Sequence, residues 1–269
     1  MVLLESTNVL LLILVFFPFV SGFAGYLIGR KSKTARDYFA IAATAAEFFM
    51  AVGLCFTSGE FFWNWFAGFG LHFEADGFRM VMAVLCSFLW FMTTVQSREY
   101  FSTGARNRNR YYMFMQWTLA ATMGVFLSSN LYTTFIFFEI MSFASYVMVI
   151  QEENPKAIYA SNGYLGYAVF GGLATLMGIF MLQVNLGTLE MDQLLDAAAN
   201  SGASYATLFV AGLLILVGFG SKASMYPLHT WLPETYLAAP APATALLSGM
   251  LSKGGIFGVL VISANVFLH

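Results

Sequence analysis

The chain has 269 residues, of which 59% are hydrophobic and 10% are charged, and its formal net charge at pH 7 is −2. Soluble domains carry about 25% charged residues, so this composition excludes an ordinary soluble protein and predicts a multi-pass membrane protein. The basic stretch SREYFSTGARNRNR is interpreted as a loop that faces lipid headgroups, so no nucleic-acid partner is expected.

A membrane-spanning helix needs roughly 20 mostly apolar residues, and the sequence offers eight such segments. They lie at 8–29, 38–58, 77–97, 112–129, 131–150, 157–183, 205–222 (with a broken piece continuing to 236) and 241–268. The expected fold class is therefore an all-α membrane protein with about eight transmembrane helices and a broken seventh helix. The boundaries divide the chain into an N-terminal three-helix segment, 1–110, and a five-helix unit, 111–269.

The distribution of basic residues predicts the orientation. Nine of the twelve Lys and Arg residues fall on one side of the predicted spans: Arg30, Lys31, Lys33, Arg36, Arg98, Arg106, Arg108, Arg110 and Lys156. The positive-inside rule makes that side cytoplasmic. With eight spans, both termini are expected outside, in a cell-membrane protein. Glu5 before the first span and Arg30 after it are unlike the flanks of a cleaved signal peptide.

Two loops on the opposite side have distinct patterns. The aromatic and Gly-rich segment 59–76 suits a short hairpin or an interfacial segment, and 188–200 alternates apolar and acidic residues at helical spacing, which is typical of a surface helix. Cys55 and Cys86 fall in separate spans, and no disulfide framework is expected.

Four ionisable residues stand out inside the predicted spans, where such a residue costs about 2.5–3.5 kcal/mol at mid-membrane on insertion scales. They are Glu47, Glu139, Lys222 and Lys253. A carboxylate at Glu139 must be protonated or paired with a cation, and Lys222 is the candidate partner. A static salt bridge between them and a snorkelling Lys222 are the structural alternatives. Glu47 has no identifiable partner in the sequence and is interpreted as structural or peripheral, with a functional role left as the alternative.

Residues 220–233, GSKASMYPLHTWLP, interrupt the seventh span. Such a break is tolerated at membrane depth where the backbone lines protein or water, and it is a device of ion transporters. The residues predicted to form it are Gly218, Gly220, Pro227 and Pro233. His229 lies within the break and suits a relay between Lys222 and Lys253, although a membrane histidine also serves as a plain hydrogen-bonding group.

No pattern for other chemistry is present in the sequence. It has no His or Cys cluster at metal-ligand spacing, no phosphate-binding Gly loop after a strand and no nucleophile with a plausible base. Neither a metal, a cofactor nor a catalytic residue is therefore predicted in this chain.

The segment from GSKASMYPLHTWLP through APAPATALLSGMLSKGGIFG, with FFEIMSFASY around Glu139, resembles the antiporter-like proton-translocating subunits. These occur in respiratory complex I, in Mrp-type antiporters and in group 4 membrane-bound hydrogenases and formate hydrogenlyases. The resemblance is specific over about 130–260 and nearest to the Mrp and hydrogenase branches. It implies that Glu139 and Lys222 are the essential pair, that Lys253 is the central lysine of the proton path, and that His229 is the histidine of the broken helix.

The resemblance also implies one half of an inverted repeat. Family members usually run to about fourteen spans, whereas this sequence reaches eight and ends at His269. We therefore expect other membrane subunits, including a chain that supplies the second half, and hydrophilic redox subunits as partners, with the lipid bilayer around them. The expected function is ion, most simply proton, translocation in a redox-driven complex. The alternatives are a non-conducting scaffold of such a complex, a subunit of an Mrp-type Na⁺/H⁺ antiporter and a retinal-type pigment, although the last does not account for the broken helix.

Overall fold

A computed structural model describes residues 2–57, 59–63, 70–104 and 107–266. Arg106, His269 and the middle of the predicted 59–76 loop, 64–69, lie outside these described residues. Within these ranges, seven helices are long and apolar enough to cross a membrane. The chain is a multi-pass membrane protein, and the predicted all-α membrane fold is confirmed.

The N-terminal part contains three long helices and one hairpin. In order these are α1 (Val2–Lys31), α2 (Lys33–Leu54), β1 (Gly59–Trp63), β2 (Leu71–Ala75) and α3 (Gly77–Tyr100). Side-chain caps set two of the starts: Ser32 accepts the Ala35 N–H at 3.3 Å and Asp76 accepts the Arg79 N–H at 2.7 Å. The strands pair antiparallel, with Glu60 opposite Glu74, and form the hairpin expected in this loop.

The second part begins with α4 (Arg108–Leu127), α5 (Leu131–Val149), α6 (Pro155–Leu186), α7 (Leu194–Asn200) and α8 (Tyr205–Lys222). After a break come α9 (Trp231–Ala238), α10 (Ala241–Leu246), a π-helical turn (Leu247–Leu251) and α11 (Ser252–Val266). α6 begins with Pro155 behind the cap Asn154 and ends at Gly187, whose φ of 75° is left-handed. α6 and α8 pack together more extensively than any other helix pair of the described structure.

α4 is the predicted span that falls outside the seven apolar helices. It lies at the centre of the bundle, against α1 and α5, and most of its side chains are buried. Its first turn places Arg110 2.6 Å from Glu153, and Ser128, just after its end, bridges to Phe73 of β2. α4 therefore crosses the bundle. It is less apolar than its neighbours because it faces protein rather than lipid.

The bundle has two ends of opposite charge character. The end that carries the junction of α1 with α2, the start of α4 and the start of α6 is called the basic end. We call the acidic end the one that carries the hairpin, the start of α3 and α7. The last turns of α11 lie at the acidic end, where Phe257, Leu260 and Ala264 share a cavity with Glu74 and Asp76. The buried core continues across residue 110, so the division at that point stays a prediction.

Candidate functional site

Lys222 is the last residue of α8 and is 4% exposed. Its Nζ donates a hydrogen bond to Ser142 Oγ at 3.1 Å and another to the hydroxyl of Tyr164. Nζ also lies 4.2 Å from the centroid of the Tyr164 ring, which is a cation–π contact. Three helices, α5, α6 and α8, therefore converge on this ammonium group.

Tyr164 is the residue of this site that the sequence did not reveal. It is buried on α6, its hydroxyl is hydrogen bonded to Ser145, and its ring meets Trp231 of α9 edge to face, with centroids 5.2 Å apart. Ser142 and Ser145 stand out in the sequence because they follow Glu139 and lie about one helical turn apart. Tyr164 has no such signal, since α6 carries several tyrosines along its length.

Glu139 lies one turn before Ser142 on α5. Its Oε1 is buried and has no hydrogen-bond partner among the described residues. The carboxylate lies against Gly172 of α6, where an added Cβ would collide with it. Glu139 and Lys222 are near enough for their charges to interact, but within the described ranges no direct ion pair joins them. The lysine instead contacts hydroxyl groups.

The helix break follows Lys222 immediately. Ser224 has a left-handed φ of 59°, and the Met225 N–H bonds back to the Gly220 carbonyl at 2.9 Å. The Ser221 carbonyl, freed at the helix end, accepts the indole N–H of Trp231 at 2.9 Å. Trp231 therefore holds the start of α9 against the end of α8, so the connection between the two helices has a defined, hydrogen-bonded structure.

The residues predicted to form the break have different positions. Gly218 and Gly220 lie inside α8, where Gly218 allows the close approach of α6 at Thr175. Pro227 lies in the connection and is exposed. Pro233 is in the first turn of α9, where the backbone N–H groups have no acceptor within the helix, so proline costs no hydrogen bond there. The left-handed residue is Ser224, which the sequence pattern did not indicate.

His229 is exposed in the connection, with its ring 5.6 Å from that of Tyr226. Across the described part of the chain, no hydrogen bond joins His229 to Lys222 or Lys253. The structure therefore places His229 at the exposed surface of the break.

Lys253 lies in the first turn of α11, is exposed, and donates to the Ser248 carbonyl of the π-helical turn at 2.6 Å. Gly255, two residues on, packs against the backbone of Ala223 and Lys222. Positions two apart on a helix point about 200° apart, so Lys253 faces away from Lys222. Its side of α10 and α11 also exposes Ala245, Ile256 and Leu260.

A second polar region lies at the acidic end, in a cavity of about 410 Å³ lined by residues that include Glu74, Asp76, Arg79 and Asp192. Arg79 pairs with Asp76, and its Nη1 lies 3.3 Å from Glu74. Burial raises the pKa of Glu74 against the opposing effect of Arg79. No group of three or more His, Cys, Asp or Glu side chains in the described ranges could hold a metal ion.

Comparison with known proteins matches residues 128–268 to the transmembrane family of NADH:quinone oxidoreductase and Mrp antiporter subunits. The D-type Na⁺/H⁺ antiporter subunit of Bacillus subtilis (strain 168) is 29% identical over 207 residues, which are 77% of this chain and 41% of that protein. Hydrogenase-4 component B of Escherichia coli (strain K12) is 31% identical over 186 residues, 69% of this chain and 26% of that protein.

Two solved structures share the fold. A chain of the archaeal membrane-bound sulfane sulfur reductase superposes with a TM-score of 0.82 at 25% identity. The match covers 94% of this chain and 40% of the reductase chain. A chain of the Mrp complex from Dietzia sp. DQ12-45-1b superposes with a TM-score of 0.83 at 21% identity. The match covers 97% of this chain and 49% of that one. The chain thus spans less than half the length of these relatives.

Proposed function

Because the chain belongs to the NADH:quinone oxidoreductase/Mrp antiporter transmembrane family, we propose that it translocates protons as a membrane subunit of a redox-driven complex of that class. The observation that carries this proposal is the buried ammonium of Lys222 at a helix break. Hydroxyl groups hold it beside the carboxyl group of Glu139, one oxygen of which has no hydrogen-bond partner among the described residues. Ionisable residues inside a membrane bundle mark ion pathways by default.

In this proposal the side chain of Lys222 has two positions, and the protonation state of Glu139 selects between them. When Glu139 carries a proton it is neutral, and Lys222 stays with Ser142 and Tyr164, as the structure describes. When the O–H bond of Glu139 breaks and its proton leaves to water, the new carboxylate attracts the ammonium group. The four-carbon side chain of Lys222 then swings from the hydroxyls of Ser142 and Tyr164 toward the carboxylate of Glu139. Each protonation change at Glu139 therefore moves a charge.

His229 and Lys253 extend the path in this proposal. The exposed imidazole of His229 exchanges protons with water at the break, which gives the Lys222 region a route to solvent. Lys253 faces out of the described bundle on an otherwise apolar surface, so a polar membrane segment must cover it. Such a segment would receive the proton and form the second half of the antiporter-like unit.

The partners follow from the same argument. The relatives are named as subunits of antiporter, hydrogenase and sulfane sulfur reductase assemblies. We propose that this chain likewise assembles with other membrane subunits, one segment of which completes the antiporter-like fold, and with hydrophilic redox subunits. The location is the cell membrane, with the basic end inside and both termini outside.

A second candidate is a subunit of an Mrp-type Na⁺/H⁺ antiporter, which the similarity to the D-type antiporter protein favours. The two candidates differ in their driving force. A redox-driven pump acidifies or alkalinises vesicles when its electron donor is added, whereas an antiporter moves protons in response to a Na⁺ gradient without any donor. A non-conducting scaffold would do neither.

The decisive variant is Glu139→Gln, measured in the assembled complex in inverted membrane vesicles with a pH-sensitive dye. The amide keeps the shape of the carboxyl group but cannot lose a proton, so ion movement should stop while assembly persists. Glu152→Gln, an exposed carboxylate just beyond α5, is the matched control and should behave as wild type. Normal ion movement in well-assembled Glu139→Gln membranes would disprove the proposed role.

A further inference from the structure

Glu47 lies on the buried face of α2 and is 0% exposed. Both of its carboxyl oxygens are buried and lack a hydrogen-bond partner among the described residues. A buried carboxylate without a cation or donors is strongly disfavoured, so in this arrangement the group must carry its proton. The mechanism proposed above makes no use of Glu47.

The surroundings of Glu47 contain no compensating cation within the described part of the chain. α2 packs against α1, α3 and α4, and the titratable group near Glu47 on these helices is the buried thiol of Cys86. The other charged or titratable side chains described on the four helices lie toward their ends: Tyr26, Arg30, Lys31, Lys33, Arg36, Asp37, Tyr38, Arg79, Arg98, Glu99, Tyr100, Arg108, Arg110, Tyr111 and Tyr112.

The nearby hydroxyl groups are occupied on their own helices. Thr44 donates to the carbonyls of Ala40 and Ile41, and Ser87 donates to the carbonyls of Ala83 and Val84. Neither hydroxyl therefore neutralises or satisfies the carboxyl group. Glu47 is therefore expected to be a neutral acid, buried between helices.

The buried face of α2 is polar on one side of Glu47. Toward the basic end it carries Thr44, the small residues Ala40 and Ala43, and Asp37, which is about 15 Å away at 1.5 Å per residue. Toward the acidic end the same face carries Ala51 and Leu54. Water that enters between the helices is accommodated more readily from the basic end.

We propose that Glu47 is a second proton-binding site of this protein, separate from the Lys222 site and loaded from the basic end. Release breaks the carboxyl O–H bond and passes the proton to water that has entered along Thr44. The ligand is the proton itself, and the site belongs to the N-terminal helices. The proposal does not depend on the roles assigned to Glu139 and Lys222.

The test is modification by dicyclohexylcarbodiimide, an apolar reagent that attacks protonated carboxyl groups, followed by mass spectrometry of the peptides. The sample is the assembled complex in native membranes, with constant reagent from mildly acidic to alkaline pH. We expect Glu47 to be modified at acidic pH and severalfold less at alkaline pH. Asp37 is the internal control on the same face of α2, because its carboxylate is paired with Arg36 and is expected to stay unmodified.

Two variants separate the site from the fold. Glu47→Gln should lose the modification at this position, and Glu47→Asp should keep a pH-dependent one. If either variant fails to assemble, the pH dependence of Glu47 modification in the wild-type complex still decides the test. Absence of modification at Glu47 at every pH, or an equal extent across the whole range, would overturn the proposal, the latter because the carboxyl group would never release its proton.

Discussion

The ammonium group of Lys222 is bound by the hydroxyl of Tyr164 and lies above the same ring, 4.2 Å from its centroid. One side chain thus supplies both an acceptor oxygen and a negatively polarised face to the buried charge. The hydroxyl is fixed by Ser145 and the ring by Trp231, so this position is set by α5 and by the segment beyond the break.

Tyr164→Phe should separate these two contributions. The ring and its cation–π contact remain, but the hydrogen bond to a charged group is lost, which is worth about 1.5–3 kcal/mol and predicts about a tenfold or greater fall in ion movement. The dye assay in vesicles measures it. Tyr159→Phe on the same helix removes an exposed hydroxyl and should change nothing. Equal rates in both variants would show that the hydroxyl is not used.

Gly172→Ala should disturb Glu139 without altering it chemically. An added Cβ collides with the carboxylate, so the side chain must leave its position or α5 and α6 must separate, at a cost of about 1–3 kcal/mol. We expect a lower thermal stability and reduced ion movement. Gly163→Ala is the matched control on α6, because a Cβ there meets nothing within 4 Å. Similar behaviour of the two variants would contradict the contact.

Glu74→Gln should stabilise the protein at neutral pH. Burial raises the pKa of Glu74 above its ordinary value of 4.5, so the folded state binds the proton more tightly than the unfolded state does. The charged carboxylate therefore costs stability above the folded pKa, and this cost disappears as the pH falls through it.

The measurement is the melting temperature in detergent as a function of pH. The advantage of Glu74→Gln over wild type should be about a degree at neutral pH, because the site is partly solvated, and should shrink toward acidic pH. Asp196→Asn, an exposed carboxylate of α7, should show no such trend. An advantage that grows as the pH falls would mean that the pairing with Arg79 dominates.

The proposed orientation is tested by Cys55, which is exposed just after α2 and toward the acidic end. A membrane-impermeant maleimide added to intact cells should modify it. In a Cys55→Ala background, Lys156→Cys at the basic end should react only after the cells are opened. Cys86 is buried and serves as the unreactive background. The reverse pattern would place the basic end outside.

Much of this architecture could be predicted from the sequence because lipid imposes long apolar runs. The predicted spans that carry Glu139 and Lys222 agree with the observed helices to within a few residues. α4 was also predicted, although its polarity makes it a weak signal. The antiparallel hairpin is one of the two alternatives that the aromatic and Gly-rich composition of 59–76 left open.

The details of the site depended on packing that one-dimensional patterns do not encode. Tyr164 resembles any other aromatic residue of α6 until the helices are brought together. Ser224 adopts the left-handed conformation that glycine usually takes. The sequence pattern therefore predicts the break at the glycines of α8, two or more residues before the position where the helix ends. The direct ion pair was expected from charge alone, whereas hydroxyl groups of two helices satisfy Lys222.

The π-helical turn at Leu247–Leu251 precedes Lys253 by two residues. A π turn accommodates one residue more than an α-helical turn, and each residue of an α-helix advances the side-chain direction by about 100°. The count of residues in this turn therefore aims Lys253 outward and Gly255 at the end of α8. Deleting a single residue there would rotate α11 relative to α10, move Gly255 out of its close contact with the end of α8 and change the direction in which Lys253 points. At this point the number of residues in the turn, rather than their identity, sets the direction of Lys253.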